Sequence, residues 1–402
     1  MTSLRHLLLI AFWAFVPALS AQVPTWDRFV RFQALADSLQ VRWPSVVVVG
    51  DTIVVAANLF PADTANFSRR NTFTIVRSRG GPLPIPSGAF TFAHPQIASD
   101  GRGNLHMVWG EPRDTTASFA SWLAAPASLW HSVLRNGRWS QPRKLLTGSF
   151  LSWGSDGRQL VCDSSGRLHV VLPGSIPGAL AIVYLRVGAS GELEDEVHWP
   201  GGSYATITSI GADSLIVAYA TADSLTPRGG SAMFTRFSAN GGRGWDPPAL
   251  VTRSAQRNIS PVVVERSKTD LHALWVEGGS KGGEVRAYTK ASLSSTWKEV
   301  STKLSLPGVL FRVTSARAKC GDYAVLMEYA ASLSFDARLQ ILAVRVRDGR
   351  IVGSEIFPRL QAAVNVGIAP DGNSLRIVFS AANPGDETTM SVTATGRVCA
   401  AT

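Results

Sequence analysis

Leu105-His106-Met107-Val108-Trp109, leading to Asn136-Gly137-Arg138-Trp139, is the stretch on which the fold turns. A short apolar run ends in an aromatic, and a hairpin closed by Trp follows. The pattern returns in Leu271-His272-Ala273-Leu274-Trp275, leading to Ser295-Thr296-Trp297. A strand-built unit recurring about every fifty residues implies small sheets arranged radially, which is a β-propeller.

Working outward, the same strand can be marked at Ile53–Ala56, Leu168–Val171, Leu215–Tyr219, Tyr323–Leu326 and Leu375–Phe379. Most marks follow a polar turn such as Gly50-Asp51, Asp100-Gly101, Ser165-Gly166 or Asp371-Gly372, residues that supply positive φ or an Asx turn. One strand candidate precedes each mark and one or two follow it, as in Met233–Phe237 and Trp245–Val251. The expected architecture is therefore all-β, with four-stranded antiparallel blades whose first strand lies nearest the axis. Seven marks predict seven blades; six blades with an irregular N-terminal sheet is the alternative.

The last repeat stops soon after Met390–Thr393. Thr25–Phe32 has the look of a fourth strand, so the N-terminal segment is expected to complete the C-terminal blade and remove its open edge. A competing reading is an amphipathic helix from Trp26 to Leu39, because Phe29, Phe32, Leu35, Ala36 and Leu39 follow helical spacing.

Residues 1–21 read as an export signal: Arg5 and His6, an apolar stretch from Leu7 to Leu19, then Ser20 and Ala21. Residues 22–402 are then expected to form one propeller domain, exported to the periplasm or beyond the cell, without stable membrane insertion. Three cysteines are too few for a disulfide scaffold and lack metal spacing; Cys320 with Cys399 is the favoured pair. The net charge of +10 comes mainly from scattered Arg. No basic run suits nucleic acid, and the charge reads first as a solvated basic surface and second as a pull on an anionic ligand, with an anionic glycan or an exported protein as the candidate partner. No cofactor is implied. His106, His169 and His272 recur once per repeat, which places them on different sheets as structural groups and not as a metal set.

The hairpin Ser238-Ala239-Asn240-Gly241-Gly242-Arg243-Gly244-Trp245 resembles the Asp box (BNR repeat) of sialidase-type propellers, Ser-x-Asp-x-Gly-x-Thr-Trp, with Asn240 for Asp and Gly244 for Thr. Ser132–Trp139 and Lys290–Trp297 are weaker echoes. The box is a structural device: its third residue caps the turn, Gly242 takes a backbone conformation closed to other residues, and Trp245 packs between blades.

The resemblance implies a search for a sialidase site of three arginines, an Asp acid and a Tyr/Glu pair. Val41-Arg42-Trp43-Pro44 stands where the family has Phe/Tyr-Arg-Ile-Pro, so Arg42 is the first candidate, joined by Arg257 and Arg312 at the entries of other first strands. Such a clamp would bind a carboxylate bidentately. Asp63 is the candidate acid, and Tyr329 with Glu277 the candidate nucleophile and base. Glu328 beside Tyr329 would point to the opposite face of its strand. The excursion Pro112–Leu129, with Trp122 and neighbouring Trp130, is either a sugar-stacking lid or a loop folded over its own blade. Two functions follow: a non-catalytic glycan- or protein-binding propeller, favoured because no acid and nucleophile set assembles, or a divergent exo-glycosidase acting on terminal acidic sugars.

Overall fold

The computed structural model describes residues 27–34, 39–61, 72–80, 82–86, 94–111, 128–148, 158–176, 179–222, 225–226, 229–267, 270–279, 282–302, 304–331, 340–347, 350–356, 363–383 and 386–397. The expected export signal and the loop residues 112–127 lie outside them. All regular structure in the described residues is β-strand.

In chain order, β1 (Asp27–Ala34) precedes a sheet of β2 (Leu39–Val49), β3 (Thr52–Pro61) and β4 (Thr72–Arg77). Next come β5 (Gln96–Ser99), β6 (Leu105–Glu111), β7 (Ser128–Arg135), β8 (Arg138–Trp139) and β9 (Arg143–Thr147). A third sheet holds β10 (Leu160–Cys162), β11 (Leu168–Ile176), β12 (Ala179–Val187) and β13 (Leu193–Pro200). The fourth holds β14 (Tyr204–Ile210), β15 (Ser214–Thr221), β16 (Ser231–Ser238) and β17 (Ala249–Ser254). The fifth runs through β18 (Arg257–Glu265), β19 (Leu271–Gly279), β20 (Gly282–Lys290), β21 (Lys298–Val300) and β22 (Ser305–Leu306). The sixth is β23 (Val309–Arg317), β24 (Tyr323–Ala330), β25 (Gln340–Arg347) and β26 (Arg350–Ile356). The last combines β27 (Ala363–Asp371), β28 (Ser374–Asn383) and β29 (Asp386–Arg397) with β1.

Every pairing is antiparallel, and the sheets form a β-propeller. The expectation of seven four-stranded blades needs correction. Six sheets are full blades of four or five strands, while the N-terminal sheet β2–β4 has three among the described residues. This matches the alternative of six blades with an irregular N-terminal sheet. A single bridge from Ile75 to Leu83 stands where a fourth strand would run.

Two outer strands are also interrupted. Both β8 and β9 pair with β7, and both β21 and β22 pair with β20, so each of these fourth strands is in two pieces. First strands meet their neighbours in ring order: β2 touches β5 and β27, and β23 touches β18 and β27.

The ends of the chain interlock. Asp27 lies opposite Thr395, Val30 opposite Thr393 and Ala34 opposite Met390, so β1 supplies the outer strand of the last blade. The helical reading of this segment is overturned over Asp27–Ala34. The pairing uses main-chain groups that an isolated C-terminal sheet would leave exposed.

Second strands are the most deeply buried. All residues of β24 and all but the last of β6 are shielded, since each second strand is covered by neighbouring sheets on both faces. Adjacent blades share apolar clusters: Trp199 and Tyr184 of the third sheet pack with Ile207 and Tyr219 of the fourth. The Ser238–Trp245 hairpin joins β16 to β17. Ser238 Oγ accepts the Gly242 N–H at 2.9 Å and Asn240 Oδ1 accepts the Gly244 N–H at 2.9 Å. Trp245 lies edge-on to Tyr184 at 4.8 Å and to Trp199 at 5.1 Å, across the blade boundary. Cys320 is disulfide-bonded and Cys162 is free; the expected partner Cys399 lies outside the described residues.

Candidate functional site: a cationic axial cavity

First strands of a propeller converge on its axis, and here they enclose a cavity of about 340 Å³. Its walls come from β2, β5, β10, β23 and β27, together with the residues leading into β10. The charged lining side chains are Arg158 and Arg312; among the described residues no carboxylate and no Tyr lines it.

Arg312 occupies a bulge, where the register between β23 and β24 slips from Leu310 to Arg312. A bulge re-aims the side chain it carries. Arg312 is 6% exposed, and its Nη2 donates to the Pro44 carbonyl of β2 at 3.2 Å. Its Nε and Nη1 have no hydrogen-bond acceptor. Glu328 Oε1 stands 4.0 Å from Nη1, beyond hydrogen-bonding range. Desolvation lowers the Arg312 pKa against the pull of Glu328. The same desolvation pushes Glu328 up to about 7, with Arg312 and the Val366 N–H opposing it.

Arg158 is held through its backbone. Its carbonyl accepts the Ile207 N–H at 2.8 Å and the Thr206 hydroxyl at 2.9 Å, both from β14. The side chain meets solvent along the axis yet is surrounded by protein, and this enclosure lowers its pKa. Gln96 adds a third donor: it is 9% exposed and its Nε2 has no partner. Nearby, Ser45 Oγ accepts the Ile97 N–H at 3.0 Å, tying β2 to β5. A buried donor without a partner costs about 1–3 kcal/mol, more when charged, so the two side chains of this kind at the cavity, Arg312 and Gln96, favour an acceptor-rich ligand.

Cys162 also lines the cavity. Burial raises its thiol pKa well above the usual range, so it remains a thiol and not a nucleophilic thiolate.

The candidates read from sequence are dispersed. Arg42 lies on β2 opposite Asn58, with its side chain outside the described residues. Arg312 lines the cavity, whereas Arg257, the first residue of β18, is exposed and absent from the lining. The adjacent Asn258 is the buried one, and its Nδ2 donates to the Ser231 carbonyl at 2.8 Å. Glu277 accepts the Ser254 hydroxyl and pairs with Arg286 at 3.2 Å. Tyr329 is packed in the apolar core between the fifth and sixth sheets, and its hydroxyl has no partner. Trp130 is half-buried: its indole donates to Glu111 Oε2 at 2.7 Å, and Lys144 sits 5.0 Å over the ring. Asp63 and Trp122 lie outside the described residues.

Sequence reasoning missed Arg158 and Gln96. Gln96 is the first residue of β5 and Arg158 lies two residues before β10, and that position at a first-strand entry was the available signal.

The repeated histidines serve the packing. His272 Nδ1 contacts the Tyr323 hydroxyl of the next blade at 3.2 Å, His169 lies between Tyr184 and Asp163, and His106 contacts His131 at 3.0 Å. Among the described residues no group of His, Cys, Asp or Glu is arranged to hold a metal ion. No described helix is long and apolar enough to cross a membrane.

No family model and no curated protein matches the chain. Solved structures do. An ulvan lyase, a polysaccharide lyase bound to -[GlcA(1-4)Rha3S]-, matches with a TM-score of 0.55 at 13% identity, over 92% of this chain and 96% of that one. A protein of unknown function from Dyadobacter fermentans gives 0.53 at 12% identity, over 94% and 100%. An α-L-arabinofuranosidase from Fusarium graminearum gives 0.50 at 12%, over 92% and 98%. At these identities the likeness is a distant one of fold.

Proposed function

We propose that the protein is an exported, non-catalytic propeller that binds an acidic glycan, with one anionic group of the ligand seated in the axial cavity. One observation carries this reading: the cavity presents guanidinium and amide donors from Arg158, Arg312 and Gln96, and among the described residues no carboxylate and no Tyr lines it. Guanidinium groups pair well with carboxylate and sulfate. Glycosidic hydrolysis of the usual kind needs two carboxyl groups flanking the bond. Glu277 is instead committed to Arg286, and Tyr329 is enclosed in the core. The carbohydrate-active neighbours support a sugar as the ligand, and the -[GlcA(1-4)Rha3S]- chain bound to the ulvan lyase suggests the probe.

The test is calorimetric titration with an oligosaccharide of glucuronate and rhamnose 3-sulfate, beside a neutral oligosaccharide of equal length. The charged ligand should bind and the neutral one should not, and Arg158→Ala should weaken binding by about tenfold, as loss of one charge-assisted contact implies. Equal binding of the neutral ligand would overturn the anionic reading. Cleavage of the oligosaccharide, or release of fluorophore from a sialic acid conjugate that is lost on Arg312→Ala, would overturn the non-catalytic one and favour the exo-glycosidase.

A further inference from the structure

Arg312 has two faces. One lines the axial cavity, and beside the guanidinium, on the second strand of the same blade, stands a buried carboxyl group.

We propose that Glu328 is an internal counter-ion to Arg312 which competes with the ligand's anion, so that the cavity takes up an acidic glycan together with a proton and releases it as Glu328 ionises. The inference rests on the reading of the axial cavity as an anion site and adds its regulation. Glu328 is 1% exposed on β24, and its Oε1 accepts the Val366 N–H of β27 at 2.5 Å while standing 4.0 Å from Arg312 Nη1. That spacing neutralises Arg312 without consuming its hydrogen bonds. When the carboxyl is protonated, the full guanidinium charge is directed at the cavity.

The charged groups that the described residues place on the surrounding elements are the following. Arg317, at the far end of β23, pairs with Glu265. On β25 the residue opposite Glu328 is Ile341, and Arg345 and Arg347 lie further along, Arg345 opposite Ala324 and Arg347 paired with Asp322. On β27, Val366 offers its N–H, and Asp371 at the other end pairs with Arg376. On β2, Pro44 offers its carbonyl and Arg42 lies two residues earlier. His106 and His131 are pushed down to about 4 and about 3 by burial and stay neutral near pH 7. Glu328, raised to about 7, titrates there.

Binding is reciprocal with protonation: an anion at the cavity makes Glu328 harder to ionise, and a protonated Glu328 makes the anion easier to hold. Carboxylate and sulfate ligands remain ionised throughout this range.

The experiment is titration of the full chain with the glucuronate and rhamnose 3-sulfate oligosaccharide at about pH 6 and about pH 8, repeated in buffers of different ionisation enthalpy. We expect binding about tenfold weaker at the higher pH, the order that one added charge at this range produces. We also expect net proton uptake near neutrality. Glu328→Gln, which keeps an acceptor for the Val366 N–H without the charge, should bind tightly at both pH values and take up no proton. Equal wild-type affinity at both values with no proton uptake would overturn the proposal while leaving the anion site standing. No binding at either pH would sink the anion site itself. Should the Gln variant not fold, the wild-type proton uptake still decides.

Discussion

Replacing Glu328 by Gln should remove a pH dependence of stability that the wild-type protein carries in its core. The carboxyl group is buried, its nearest described cation is 4.0 Å away, and the Val366 N–H reaches it, yet burial outweighs both and lifts its pKa from 4.5 to about 7. A folded-state pKa above the unfolded one means that the fold holds the proton more tightly. The stabilisation is complete below about pH 4.5 and is lost as pH rises through about 7. At 1.36 kcal/mol per pK unit the whole effect is about 3 kcal/mol, of which about 2.5 kcal/mol falls between pH 5 and pH 8. Gln resembles the protonated acid and has no such slope. Urea denaturation followed by Trp fluorescence at pH 5, 6, 7 and 8 would measure it. The stability difference between variant and wild type should shift in favour of the variant by about 2.5 kcal/mol across that span. Parallel pH profiles would refute the argument, because they would mean that Glu328 is solvated or well paired in the folded protein.

Other outcomes follow from the same structure. Adding a methyl group at Gly242, where φ is +77°, would drive it into the Tyr184 hydroxyl, so Gly242→Ala should cost about 2–4 kcal/mol by chemical denaturation. A loss under about 0.5 kcal/mol would contradict this packing. Asn240→Ala removes the acceptor for the Gly244 N–H and should cost about 1 kcal/mol, while Asn240→Asp should retain most of the stability; equal losses would show that the cap is unimportant. For the buried His106 and His131 the sign is the reverse of Glu328: their lowered pKa values stabilise the fold above about pH 6.5, and this is lost as pH falls towards 4. Imidazole NMR titrations should find both neutral at pH 5.5, and ordinary midpoints near 6.5 would refute it. Deleting residues 22–34 should abolish the cooperative unfolding transition, and an unchanged melting profile would mean that β1 contributes nothing to the ring.

Much of the ring was legible because its signals are local. The second strands announce themselves as apolar runs since sheets cover both faces, and the turns before them need Gly or Asp for backbone reasons. The N-terminal closure was legible from Trp26–Phe32, although its spacing suited a helix equally; the unpaired edge of β29 decides between them. The short N-terminal sheet was not legible, because Ile53–Ala56 marks a blade as well as its neighbours do while carrying no information on whether a fourth strand follows.

The candidate site was harder to read. Which first-strand side chains meet at the axis depends on bulges and on how each strand enters the ring, so Arg312 faces the cavity and Arg257, one residue out of phase with buried Asn258, does not. Arg158 precedes a first strand of three residues, too short to declare its inward face. Glu277 and Tyr329 were unpromising for a reason available beforehand: both sit on second strands, whose side chains serve the packing between blades.

The pairing of β1 with β29 also sets an order in time. β1 is made long before β29, and until the two meet each presents a raw edge. Two molecules at high concentration could satisfy the same hydrogen bonds by lending β1 to each other, giving an exchanged dimer with every blade intact. The device that makes the ring continuous also makes its assembly a contest between a chain's own strand and its neighbour's, one that dilution favours and crowding does not.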